Sequence, residues 1–117
     1  MDNSVGVYVA VGAAAALLAI QKLRNRKAPE ATVRRMIGSG ARIVDVRTPG
    51  EFASGSYPKA KNIPLDRLES RLGELPKDKP IVLFCASGAR SARAARILKA
   101  AGYTDVASAG GLSDMPR

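Results

Sequence analysis

Hydrophobic and polar positions divide the chain into one uninterrupted apolar stretch and a patterned remainder. Asn3 to Gln21 carry no charged side chain over 19 residues. A helix of that length reaches across a hydrocarbon layer of roughly 30 Å at about 1.5 Å per residue. No polar face interrupts Val5 to Ile20, and Lys22, Arg24, Arg26 and Lys27 follow at once. The pattern predicts a transmembrane anchor helix over 1–21, a basic juxtamembrane linker over 22–28 and a folded domain over 29–117. The positive flank places the domain in the cytoplasm and the N-terminus outside, at the inner membrane in a bacterium. A cleaved signal peptide would carry its positive charge before the apolar run, and this chain begins Met-Asp-Asn. A helix packed on a core or a partner is the other reading. The small residues Gly6, Ala10, Gly12, Ala13 and Ala16 would let two such helices pack as a homodimer.

The remainder alternates between two periods. Pro29 and Glu30 suit a helix start, and Val33, Met36 and Ile37 recur at helical spacing until Gly38-Ser39-Gly40 stops them. Arg42 to Val46 read as a short β-branched strand, broken by Thr48-Pro49-Gly50, with one helical turn at Glu51-Phe52-Ala53. Asn62 to Leu65 are extended. Asp66 can cap a helix carrying Leu68, Leu72 and Leu75, which Pro76 ends. Pro80 to Cys85 are continuously apolar, as in a strand buried on both faces. Ala86 to Ala89 form a loop, Ser91 to Ala101 a helix closed by Gly102, and Asp105 to Ser108 a last strand before a turn at Ala109-Gly110-Gly111. Alternating strands and helices predict an α/β fold with an open, largely parallel sheet flanked by helices.

Composition narrows the chemistry. The 117 residues include 19 Lys+Arg against 10 Asp+Glu, for a net charge of +9, with one Cys and no His. One cysteine excludes an intrachain disulfide framework. The absence of His excludes the usual zinc sites and both Ser-His-Asp and Cys-His catalysis. No metal and no cofactor is expected. After Lys27, fifteen basic residues still face nine acidic ones, a net +6, so an anionic partner is expected of the domain itself. The bases are scattered and aromatics make up 4%, which argues against nucleic acid.

The single cysteine ends the most apolar strand and precedes a helix, at the sheet edge where open α/β folds bind ligands. The loop runs Cys85-Ala86-Ser87-Gly88-Ala89-Arg90-Ser91. Backbone N–H groups turned inward at Gly88, the helix N-terminus and the charge of Arg90 would all favour a thiolate and cradle an anion. A buried, inert cysteine closing a core strand is the competing reading.

With these residues the chain resembles a single-domain rhodanese, a thiosulfate:acceptor sulfurtransferase. The resemblance covers about residues 28–114. It is carried by Asp45-Val46-Arg47, Glu51-Phe52 and Gly55, Ala60 with Asn62-Ile63-Pro64, the Cys85 to Arg90 loop with Ser91, Gly102-Tyr103 and Ala109-Gly110-Gly111. It implies that Cys85 is the catalytic nucleophile and that Ala86, Ser87, Gly88, Ala89, Arg90 and Ser91 bind the substrate. The six-residue loop from Cys85 to Arg90 matches sulfurtransferases, whereas related phosphatases and arsenate reductases have seven. The implied donor is thiosulfate or another sulfane-sulfur compound. The implied acceptor is cyanide, a thiol or a protein thiolate. The alternative function is a membrane-tethered sulfur carrier or partner-binding module with little turnover, and the lipid bilayer is a further partner. Asp45 is expected to be a buried structural carboxylate, with Arg47 paired to Glu51. The chain departs from the family at Ser56, where a His is common, and at Leu112, where an aromatic often follows the Gly-Gly pair.

Overall fold

The computed structural model describes residues 4–117, with side chains from residue 9 onward. Helix α1 (Ser4–Arg24) leads into α2 (Glu30–Gly38), strand β1 (Arg42–Asp45), the short α3 (Pro49–Ala53), β2 (Lys61–Asn62), 3₁₀ turns at Leu65–Arg67 and Glu69–Glu74, β3 (Ile81–Cys85), α4 (Ala89–Ala100), β4 (Val106–Gly111) and a last 3₁₀ turn at Leu112–Asp114. The four strands form one parallel sheet in the order β2-β1-β3-β4.

β3 is central and every residue of it is buried. Its side chains alternate between the two faces, as a pleated strand requires. Ile81, Leu83 and Cys85 join a core with Val44, Val46, Ile63, Leu68, Ala94 and Leu98. Val82 and Phe84 join a second core with Val33, Met36, Ile43 and Ala107. Burying Leu83 or Phe84 contributes about 1.5–3 kcal/mol each. α4 and the 3₁₀ turns therefore cover one face and α2 the other. The alternation delivers Cys85 to the α4 side.

Two elements differ from their expected form. The helix expected after Asp66 is a pair of 3₁₀ turns, broken at Arg71, whose φ is −119°. Long-range contacts hold this broken path. Glu74 pairs with both Lys61 and Arg71, and the Tyr103 hydroxyl donates toward the carbonyls of Leu72 and Leu75, 2.9 Å from each. β4 does not stop at Ser108 but pairs on to Gly111, with a register shift opposite the step from Leu83 to Cys85. Gly110, at φ +96°, absorbs the extra residue, so the Gly-Gly pair is a bulge inside the strand and not a turn after it.

α1 makes no buried contact from Val9 to Arg24. Val9, Val11, Leu17, Leu18, Ile20 and Leu23 are all exposed. Among the described residues no helix is long and apolar enough to cross a membrane. Positions 1–3 of the expected anchor, and the side chains of positions 4–8, lie outside the described residues. The linker is tied to the domain at three points. Arg96 Nη1 donates to the Arg24 carbonyl at 2.9 Å. The Ala28 N–H donates to the Ser108 carbonyl at 2.7 Å. Lys27 pairs with Asp114 at 2.8 Å.

Candidate active site

The site forms where β3 ends. The chain leaves Cys85 through Ala86 and Ser87, turns at Gly88 with φ +111°, and enters α4 at Ala89. That backbone conformation is in the left-handed region, which side-chain-bearing residues adopt at a cost. It aims the Gly88 N–H at the cysteine sulfur, 3.0 Å away. The buried Sγ also lies 3.6 Å from the Ser91 hydroxyl. Burial pushes the Cys85 thiol up, but N–H groups of Ser91, Gly88 and Ser87 together with the Ser91 hydroxyl outweigh it, and the net direction is down.

Ser91 is buried and faces inward. Its Oγ is 3.1 Å from the carbonyls of Gly88 and Gly110 and 2.8 Å from Ser108 Oγ. The β4 bulge braces the loop from below. A Cβ on Gly111 would run into the Ala86 carbonyl. The Gly111 N–H is held by Asp114 Oδ2 at 2.8 Å, and Asp114 is the partner of Lys27.

Arg90 occupies the first turn of α4, where a lone cation would oppose the helix dipole. The anion that offsets it is internal. Glu51 of α3 receives Nη1 on Oε1 at 2.7 Å and Nη2 on Oε2 at 3.0 Å. Glu51 also closes a capping box with Thr48. Arg90, then Thr48, hold the Glu51 carboxyl down at about 2. The expected Arg47–Glu51 pair is thus corrected. Arg47 instead reaches Asp45, with Nη2 to Oδ2 at 2.8 Å and Nε to Oδ1 at 3.0 Å. Two residues apart on one extended segment, the two side chains lie on the same face, whereas Glu51 sits on a helical turn that swings it toward Arg90.

Asp45 is buried as expected and carries the loop after β1. It accepts from Arg47 N–H at 2.9 Å and from the Ser56 hydroxyl at 2.9 Å. Arg47 Nη2 donates onward to the Gly55 carbonyl at 2.7 Å and stacks over Phe84, 5.9 Å from its centroid. Asn62 Nδ2 bridges the carbonyls of Asp45 and Arg47, 2.9 Å from each.

The structure brings together the expected loop residues, Cys85 through Ser91. Ala86, Ser87 and Ala89 are exposed along its rim. Glu51 as the partner of Arg90, Ser108 as the partner of Ser91, and Asp114 as the brace of Gly111 were not anticipated. A capping-box spacing from Thr48 to Glu51 was legible, but nothing local tied Glu51 to Arg90. A cavity of about 590 Å³ adjoins Arg90, walled by Val46, Pro64, Leu65 and Ile97 with Thr48 at its edge. Among the described residues, no group of three or more Cys, Asp or Glu side chains could hold a metal.

A parallel sheet with a cysteine loop at the end of its central strand is the architecture of the rhodanese-like domain, whose family model matches residues 29–114. The chain belongs to that family. It is 44% identical over 66 residues to an uncharacterized protein of Bacillus subtilis, covering 56% of this chain and 52% of that one. It is 44% identical over 61 residues to a sulfurtransferase of Allochromatium vinosum, covering 52% and 57%. Thiosulfate sulfurtransferase PspE of Escherichia coli is 36% identical over 74 residues, with 62% and 71% covered. The chain thus spans little more than half the length of the first two relatives. Among solved structures, a rhodanese with anions from E. coli superposes with a TM-score of 0.62 at 34% identity, over 66% of this chain and 95% of that one. Ser56, a position at which the chain departs from the resemblance, donates its hydroxyl to Asp45 Oδ2 beside Arg47.

Proposed function

We propose that this chain is a sulfurtransferase that passes a sulfane sulfur through a persulfide on Cys85. The observation that carries the reading is the sulfur itself, a buried Sγ receiving the Gly88 N–H at 3.0 Å inside a loop of amide donors. The names of several relatives agree with sulfur transfer. In the first step the Cys85 thiolate attacks the outer sulfur of thiosulfate or of a persulfide. The S–S bond of the donor breaks, and sulfite or a thiolate leaves with the electron pair. In the second, cyanide, a thiol or a protein thiolate attacks the terminal sulfur, and the Cys85 thiolate is the leaving group. The amide donors that favour the thiolate also hold the persulfide. Arg90 orients an anionic donor, which must share the guanidinium with Glu51 or displace it. Sulfite needs no protonation to leave, so the cysteine loop needs no Asp or His as a general acid.

Mass spectrometry after thiosulfate treatment tests the reading. One added sulfur mass on the wild-type chain and none on Cys85→Ala are expected. Equal labelling of both would overturn it.

We propose further that α1 tethers the domain to a bilayer from the cytoplasmic side. Its support is the exposure of the apolar side chains from Val9 to Leu23 beside the basic cluster. Alkaline extraction of membranes separates the outcomes. Retention of the full chain in the membrane pellet fits a tether, and complete release sinks it.

A further inference from the structure

Ser108 is a buried hydroxyl that the sulfur-transfer steps above leave unused. It lies on β4, 2.8 Å from Ser91 Oγ, and Ser91 Oγ is the one hydrogen-bond contact of the Ser108 side chain among the described residues. Ser91 Oγ has three other polar neighbours, the carbonyls of Gly88 and Gly110 and the sulfur of Cys85. The carbonyls can only accept, so they compete for the single Ser91 proton. If Ser91 spent that proton on Ser108, the Ser108 proton would find no protein acceptor among the described residues. Every buried side-chain polar atom described has a partner.

We propose that Ser108 is a positioning residue that donates its proton to Ser91 Oγ and leaves the Ser91 proton free to turn between the loop carbonyls and the Cys85 sulfur. With Cys85 as a thiol, Ser91 Oγ accepts from both Ser108 and Sγ–H, and its own proton goes to a carbonyl. With Cys85 as a thiolate, the Ser91 proton turns onto the sulfur while Ser108 still donates from behind. The donation from Ser108 polarises the Ser91 O–H and strengthens it as a donor. A leaving Cys85 thiolate, released in the second step, meets that donor in place.

The pH dependence of iodoacetamide alkylation of Cys85 reads the thiolate directly. The charged groups on the elements around the sulfur are Arg90, Arg93, Arg96 and Lys99 on α4, Glu51 on α3, Arg42 and Asp45 on β1 with Arg47 after it, and Asp114 after β4. None is altered by the serine substitutions. In samples with wild-type circular dichroism and melting, Ser108→Ala should slow alkylation below the midpoint about two- to threefold. Ser91→Ala should slow it about tenfold, as loss of a hydrogen bond to a charged group does. Ser108→Thr, which keeps the hydroxyl, should retain the wild-type profile. The double variant should match Ser91→Ala, because Ser108 acts through Ser91. A Ser108→Ala profile that superimposes on wild type, a folded Ser108→Thr that follows the alanine variant, or additive losses in the double variant would each overturn the role. The role serves sulfur transfer only on the reading of Cys85 as the sulfur carrier. Alkylation needs no turnover, whereas the thiosulfate mass shift reads the carrier, so the two can fail separately.

Discussion

Arg90 and Glu51 meet fork to fork across the candidate site, with paired N–O distances of 2.7 and 3.0 Å. The bridge joins α3, which follows β1, to α4, which follows β3. It also gives the one cation of the cysteine loop a resident anion, so an anionic donor meets a competitor already in place.

Glu51→Gln removes that competitor and keeps an acceptor for Thr48. The KM for thiosulfate should fall about two- to fivefold, because a partly exposed ion pair is only a weak competitor. Arg90→Ala should raise it. Steady-state kinetics with cyanide as acceptor reads both, and an unchanged KM in the glutamine variant would remove Glu51 from any part in donor binding.

The bridge also fixes the sign of an acid effect. The Glu51 carboxyl is held at about 2 against an ordinary value of 4.5. A carboxyl depressed by folding adds stability that is complete above about 4.5 and is lost as pH falls toward 2. Melting temperatures from pH 6 to 2 should therefore fall more steeply for the wild-type chain than for Glu51→Gln across that window.

Cys85 is predicted to titrate below its ordinary value of 9.0. Its depressed pKa makes the folded state gain on the unfolded as pH rises, with the gain complete above 9.0 and absent below the folded value. Ultraviolet absorbance of the thiolate should rise at lower pH in the native chain than in urea. Coincident curves would remove the amide cradle as a thiolate stabiliser.

Asp45→Ala leaves Arg47 buried without its carboxylate and strands Ser56 and the N–H of Arg47. Breaking one side of a buried pair costs about 3–5 kcal/mol, so urea unfolding should shift by that amount. A loss under about 1 kcal/mol would mark the pair as solvent-screened.

Gly111→Ala places a methyl group against the Ala86 carbonyl. The clash should displace the cysteine loop and abolish thiosulfate labelling. Gly38→Ala, whose added Cβ meets nothing within 4 Å, serves as the control and should label normally.

Much of the fold was legible because it is written in local patterns. The five apolar residues of β3, the β-branched β1 and the arginine-and-alanine periodicity of α4 each signal their element without help from the rest of the chain. The 3₁₀ path at Leu65–Glu74 was not legible, because Tyr103 and Lys61 hold it from elsewhere in the chain. The β4 bulge was hidden for a similar reason. Adjacent glycines signal a break, and only pairing with β3 keeps the strand going through them.

By itself the sequence determined the order of strands and helices, the single possible thiol nucleophile and the loop that cradles it, since spacing along the chain sets all three. The partners of that loop were decided by tertiary structure. Glu51 reaches Arg90 across 39 positions, and Ser108 reaches Ser91 across 17. Pairings of that span depend on which strands lie side by side and which face each side chain takes. The choice between Arg47 and Arg90 as the partner of Glu51 depends on where α3 lies against α4, and only the packed sheet supplies that placement.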